Sequence, residues 1–270
     1  VAVPALVSGQ WAAVAPVASG FLGAIVIAFV VGYFVRWMNN TIKLPHTWLA
    51  FKTTFFIPLI SAIVAMLLMV FLITPIGGWL NTLIKEALQA AGSAGTYFYA
   101  TLLAAATAFD LGGPVNKAAG FVALGFTTEK VLPITARCLA IVIPSFGLGL
   151  STVIDKWLVG RRVYDRQFNQ IGRTAIFLGF MGISEGSIPF ALERPGFVIP
   201  VYVIGAIIGA LLGVSLGAVQ WFPESAIWAW PLITNIPAYL IGLLGGSLFI
   251  AVTCVFYRNR LIKKGLLEVA

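Results

Sequence analysis

From Ser225 to Tyr257 the chain reads SAIWAWPLITNIPAYLIGLLGGSLFIAVTCVFY, without one Asp, Glu, Lys or Arg. An α-helix needs about 20 apolar residues to cross the hydrocarbon core of a bilayer. Period-2 alternation is absent, so a barrel strand does not fit and a transmembrane helix does.

Working outward, the same absence of charge recurs over Val1–Val35, Thr53–Ile84, Ala87–Phe109, Cys138–Ile154 and Pro195–Pro223. Hydrophobic residues make up 60% of the 270 residues and charged ones 10%. Ordinary soluble domains hold about 25% charged residues. Mean hydropathy is +1.00. A water-soluble enzyme, a disordered chain and a disulfide scaffold are excluded. The fold class is all-α: a polytopic membrane protein with transmembrane helices.

The net charge of +8 does not point to nucleic acid, because the basic residues sit at span ends. Arg36, Lys43 and Lys52 occupy one loop; Lys156, Arg161, Arg162, Arg166 and Arg173 another; Arg258, Arg260, Lys263 and Lys264 the tail. With Arg194 they set the cytoplasmic side. Cys138 and Cys254 lie in apolar runs and read as small buried hydrophobes. His46 is the only histidine, so no His-based metal site or Ser-His-Asp triad is available. No catalytic residue, metal or cofactor is expected of the chain. The opening Val-Ala-Val-Pro lacks Met and a basic leader, and the chain is expected to be a piece of a longer polypeptide.

Spans are expected over Ser19–Trp37, Phe55–Thr74 (ended by Thr74-Pro75-Ile76-Gly77-Gly78), Ile134–Ile154, Phe197–Val219 and Pro231–Tyr257. Trp79–Ala90 has helical spacing suited to an interfacial helix or a loop helix, broken at Gly92–Gly95. Asp155–Arg173 reads as a charged loop. Two apolar stretches are interrupted. Tyr97–Phe109 runs into Asp110-Leu111-Gly112-Gly113-Pro114-Val115-Asn116-Lys117 before Ala118–Phe126. Thr174–Gly182 runs into Ile183-Ser184-Glu185-Gly186-Ser187-Ile188-Pro189-Phe190. Helices broken at membrane depth are tolerated only where protein or a polar cavity surrounds them. Both segments are therefore expected to be re-entrant hairpins, one from each side.

A charge at membrane depth costs about 2.5–3.5 kcal/mol on insertion scales, which singles out Asp110, Lys117 and Glu185. Gly112 and Gly113 allow a turn. Pro114 suits a first helical position, and the new helix aims free N–H groups back at the break. Asp110 offers acceptors and Asn116 both donor and acceptor, a mixture suited to a polyhydroxylated ligand. Asp110 and Lys117 could instead pair to hold the hairpin. Glu185 could bind two hydroxyls or cap the broken helix. Ser184 and Ser187 could serve ligand or backbone. Two polar breaks in an apolar chain form a transporter pattern.

At these breaks the sequence resembles a known family. Ala108–Ala119, AFDLGGPVNKAA, closely resembles the signature of the fructose-type membrane component, enzyme IIC, of the bacterial phosphotransferase system. Gly182–Ala191, GISEGSIPFA, resembles that family's second signature, with Ser184 for the usual Thr and Ser187 for the usual Ala. Ser19–Ile25 and Ile42–Pro45 also fit. The resemblance runs along essentially the whole chain and lacks the family's first spans.

The resemblance implies a glucose-superfamily arrangement: a scaffold part over 1–95, incomplete at its N-terminus, a transport part over 96–257 and a basic cytoplasmic tail over 258–270. It implies a homodimeric, multi-pass permease of the bacterial inner membrane, surrounded by lipid, whose moving domain works as an elevator. Sugar would be taken from outside and phosphorylated by enzyme IIB, itself charged by enzyme IIA. Glu185 would be the sugar-hydroxyl ligand, with Asp110, Asn116, Lys117, Gly113 and Ser184 lining the pocket. Fructose members carry a Pro-His-Gly-Gly stretch where this chain has Phe222-Pro223-Glu224-Ser225-Ala226-Ile227. A glycoside such as 2-O-mannosylglycerate is therefore weighed beside fructose. The phospho-Cys and phospho-His motifs of the partners are absent from the sequence given. The alternative is a proton-coupled sugar symporter.

Overall fold

The computed structural model describes residues 20–128 and 130–267. The helices are α1 Gly20–Thr41, α2 Leu49–Phe51, α3 Ile57–Leu68, α4 Thr74–Phe109, α5 Pro114–Thr128, α6 Thr135–Val159, α7 Arg166–Phe180, α8 Ile188–Glu193, α9 Pro195–Ser215 and α10 Ile236–Lys263. Among the described residues extended pairing is limited to one antiparallel bridge, Val219 with Thr234. Among the described residues, four helical runs are long and apolar enough to cross a membrane: His46–Ile76, Thr135–Val159, Pro195–Ser215 and Ile236–Lys263. The all-α membrane class expected from composition is what the chain adopts. It divides into two compact units, Val1–Ala90 and Ala91–Ala270.

In the first unit α1 packs against α3. Lys52, 5% exposed, donates from Nζ to the Asn39 carbonyl at 2.8 Å. It thereby satisfies one of the carbonyls that the end of α1 leaves open. Phe29, Tyr33, Phe55, Met66 and Phe71 are exposed, as suits side chains facing lipid. The expected stop at Thr74–Gly78 does not occur: helix continues through Pro75 into α4. A proline lacks its N–H and crowds the carbonyl four residues back. The wide π-type turn Met69–Ile73 just before it loosens that part of the helix. The break expected at Gly92–Gly95 is present at Gly92, whose φ of 54° and ψ of −134° leave helical space.

The second unit is built on α6, α9 and α10, which pack on one another. Glycines let the backbones close up. A Cβ on Gly242 would stand 2.5 Å from the Gly209 carbonyl, and one on Gly246 would stand 2.5 Å from that of Gly205. Such small-residue contacts are how helices associate in lipid, where apolar surface alone gives no preference for a neighbour.

The expected charged loop ends early, because α7 already begins at Arg166. Asp165 caps it, accepting from the Phe168 N–H at 2.7 Å. Asp155 is fully buried, accepts from the Val163 N–H at 3.0 Å and pairs with Arg162 at 2.8 Å. The last span begins at Ile236, where the Asn235 side chain accepts from the Ala238 N–H, and extends to Lys263. Residues 258–263, with Arg258, Arg260 and Lys263 of the basic tail, are therefore helix.

Candidate functional site

Both interrupted stretches fold as breaks. In the first, α4 stops at Phe109 and α5 starts at Pro114, the position expected of this proline. The chain reverses through Leu111 (φ 48°) and Gly112 (φ 101°). Asp110 Oδ2 accepts from the Val115 N–H at 2.6 Å and Oδ1 from the Asn116 N–H at 2.9 Å. The carboxylate thus answers the free donors and the positive end of α5. Lys117 is exposed and does not serve as Asp110's partner. Gly113 is required by proximity, since a Cβ there would lie 2.6 Å from Asp110 Oδ2.

Asn116 is 3% exposed. Its Nδ2 donates to the Thr107 carbonyl at 2.5 Å and its Oδ1 accepts from Arg137 Nη2 at 3.4 Å. The amide therefore joins the two limbs of the hairpin and the start of α6. Asn116→Ala strips Thr107 and Arg137 of that partner. A loss of about 1–3 kcal/mol in stability is expected, read as a lower melting temperature of the purified protein. An unchanged melting temperature would remove this role.

In the second break α7 stops at Phe180, Gly182 turns with φ 75°, and Glu185–Ser187 forms one 3-10 turn before α8. Ser145 of α6 donates to the Ile183 carbonyl at 3.0 Å and lies 3.2 Å from the Ser187 hydroxyl. Ser184 is 3% exposed and its carbonyl also faces Ser145, at 3.3 Å. The segment after α9 packs on the same turn: a Cβ on Gly182 would stand 2.9 Å from the Ala226 nitrogen. The first break is moored in parallel, Tyr202 of α9 donating to the Phe109 carbonyl at 2.9 Å.

The two breaks meet. A Cβ on Gly112 would stand 2.5 Å from Glu185 Oε1 and 3.0 Å from its Cδ, so the carboxylate lies directly on the Gly112 backbone. Glu185 is exposed, and its hydrogen bond within the chain is a long one from Ser184 Oγ at 3.5 Å. Asp110 has both oxygens committed; Glu185 has acceptors free for hydroxyl groups. Of the residues named from sequence, Asp110, Gly113 and Asn116 build the first break, Ser184 builds the second, Glu185 stands where they join, and Lys117 lies on the exposed side of α5.

Sequence reasoning missed Ser145, Tyr202 and Arg137. Ser145 and Tyr202 are isolated polar groups within apolar spans, which is the signal that could have found them. Arg137 lies across α5 at Gly120, where a Cβ would stand 2.7 Å from Nη2.

Residues 4–205 match the protein family described as "Phosphotransferase system, EIIC". The chain is 57% identical over 256 residues to the "Fructose-like permease IIC component" of Shigella flexneri, covering 95% of this chain and 62% of that protein. The same figures hold for "Fructose-like permease IIC component 1" of Escherichia coli K12. It is 32% identical over 227 residues to the "PTS system fructose-specific EIIB'BC component" of E. coli K12, covering 82% of this chain and 39% of that protein. The chain thus spans 62% of the length of the fructose-like permeases it matches. No solved structure gives a significant match.

Proposed function

Since the chain belongs to the EIIC family of the phosphotransferase system, we propose that it is a sugar-holding part of an inner-membrane permease that admits a sugar for phosphorylation. The observation that carries the reading is the free Glu185 carboxylate lying on Gly112 where two membrane breaks meet. An ionised carboxylate accepts from hydroxyls without donating, and hydrogen bonds to it are worth about 1.5–3 kcal/mol each. Glu185 is the solute ligand. Ser184 adjoins it, Lys117 is a sugar ligand offered from the exposed side of α5, and Asp110, Gly113 and Asn116 give the first break its shape. The substrate is a neutral fructose-type sugar or a glycoside such as 2-O-mannosylglycerate, in keeping with the fructose-like permeases it resembles.

The phosphoryl donor is a IIB domain. A relative whose name joins B and C components supports that partnership, and a IIA protein would recharge it. The basic loops and tail face the cytoplasm, on the same side as the donor. Residues 1–95 are scaffold, residues 96–257 move with the sugar, and two permeases pair in the lipid.

The test is reconstitution of the complete permease in vesicles with and without phosphorylated IIB. Sugar phosphate inside, formed only with the partner, is the expected product. Concentrative uptake of free sugar without the partner, driven by an imposed pH gradient, would sink the reading in favour of a proton symporter.

A further inference from the structure

The inner end of the second unit holds a cluster that the Glu185 site does not use. Arg258, near the end of α10, is 6% exposed. Its Nη1 is paired with Glu193 Oε2. Its Nε donates to the Val163 carbonyl at 2.9 Å. Its guanidinium lies over the Tyr164 ring at 4.2 Å and the Phe168 ring at 5.5 Å. Burial drives the Tyr164 phenol far above its ordinary pKa, so the ring beneath the cation stays neutral. Beside the pair is a cavity lined by Leu148, Phe190, Val198, Cys254 and Tyr257, among others.

Glu193 is the last residue of α8, and the Glu185 turn runs directly into the first. Six residues of helix span only about 9 Å, so one short rod has the candidate sugar ligand at one end and the ion pair at the other. Phe190, 2% exposed, and the pair are what fasten this rod to the Tyr164 segment and α10.

The two sides of the pair are unequal. The Glu193 side chain is 23% exposed and that of Arg258 8%. When they part, water can take over the carboxylate, while the guanidinium keeps the Val163 carbonyl and both rings. Parting therefore leaves the carboxylate to water and the guanidinium with its carbonyl and rings but no counter-ion, a cost that biases the pair toward the joined state.

We propose that this pair is the inner closure of the transport unit. Arg258 is a positioning residue that, through Glu193, holds α8 and the Glu185 turn shut toward the side of the basic loops. Parting of the pair lets α8 swing and joins the turn to the cavity. The proposal rests on the permease reading, and its test is chosen to be independent of any sugar.

Cys254, 3% exposed and on the cavity wall, is a built-in reporter. Cys138, fully buried near the opposite end of α6, is the control. The complete permease in vesicles, without sugar or partner, is treated with a water-soluble maleimide, and each cysteine's alkylation is followed by peptide mass spectrometry. Glu193→Gln is expected to speed Cys254 alkylation about tenfold or more, the population shift that follows loss of one charge-assisted hydrogen bond, with Cys138 unchanged. Arg258→Lys keeps the charge but loses the fork and the ring stacking, and should give a smaller rise. In transport, Glu193→Gln should alter the rate of inward release while sugar affinity stays near that of the wild type. Cys254 as protected in Glu193→Gln as in the wild type overturns the closure, and so does a parallel rise at Cys138. Failure of the permease reading would show separately, as a wild type that yields no sugar phosphate.

Discussion

Glu185→Gln is expected to weaken sugar binding about 10- to 150-fold, the range for losing a hydrogen bond to a charged group, while the protein still folds. The carboxylate is exposed, and its bond within the chain is a long one from a neighbouring hydroxyl, so neutralising it leaves no buried partner unsatisfied. Gln keeps the size but puts a donor where an acceptor stood. Gly112→Val should produce the same loss by a different route. A side chain there would occupy the space of Glu185 Oε1, at 2.5 Å, on a backbone with φ of 101° that L-residues avoid. Titration calorimetry on both variants, with fructose and with 2-O-mannosylglycerate as ligands, reads the effect. Unchanged affinity in Glu185→Gln for a sugar that the wild type binds would return this residue to a purely structural part.

Gly242→Val is expected to abolish the folded protein. The added Cβ would stand 2.5 Å from the Gly209 carbonyl and 2.9 Å from the Gly213 nitrogen, both of them backbone. No rotamer change relieves such a contact, so α9 and α10 must separate. Overpacking in a core that can adjust costs about 1–3 kcal/mol; here the frame itself has to move, and the cost lies at or beyond that upper end. Expression and gel filtration in detergent check it. Gly196→Ala is the control, because nothing lies within 4 Å of a Cβ there. A Gly242→Val protein that elutes and melts as the wild type does would show that the close crossing is dispensable.

The spans and both breaks were legible because lipid imposes a rule that one sequence can display: charge is absent inside and concentrated at the ends. Asp110, Gly112 and Pro114 announced a turn followed by a new helix, and the chain makes it. The continuity of helix through Pro75 was not legible, because the wide turn Met69–Ile73 just before it has no residue signature of its own. The start of α7 was legible in principle, since Asp165 is a good N-cap, but the density of charge around it read as loop. The Asn116 amide could not be assigned from sequence, because its partners Thr107 and Arg137 lie on other elements. Arg258 and Glu193 posed the same problem at longer range: each reads as a surface charge near a span end until the fold brings them together.

The capping of α5 by Asp110 bears on the thermodynamics of loading. Both of its oxygens are held by the backbone of its own hairpin, and Tyr202 and Ser145 moor the two turns to the helical frame. At these moorings the cradle therefore keeps its contour when empty, and what moves is the α8 end held by Glu193 and Arg258. A cargo molecule need not freeze floppy loops on arrival, so most of the ordering penalty of recognition is met once, during folding, rather than on every turnover. Selectivity then falls to one uncommitted acid and the rigid wall beside it, an arrangement that favours rapid loading and unloading over tight retention.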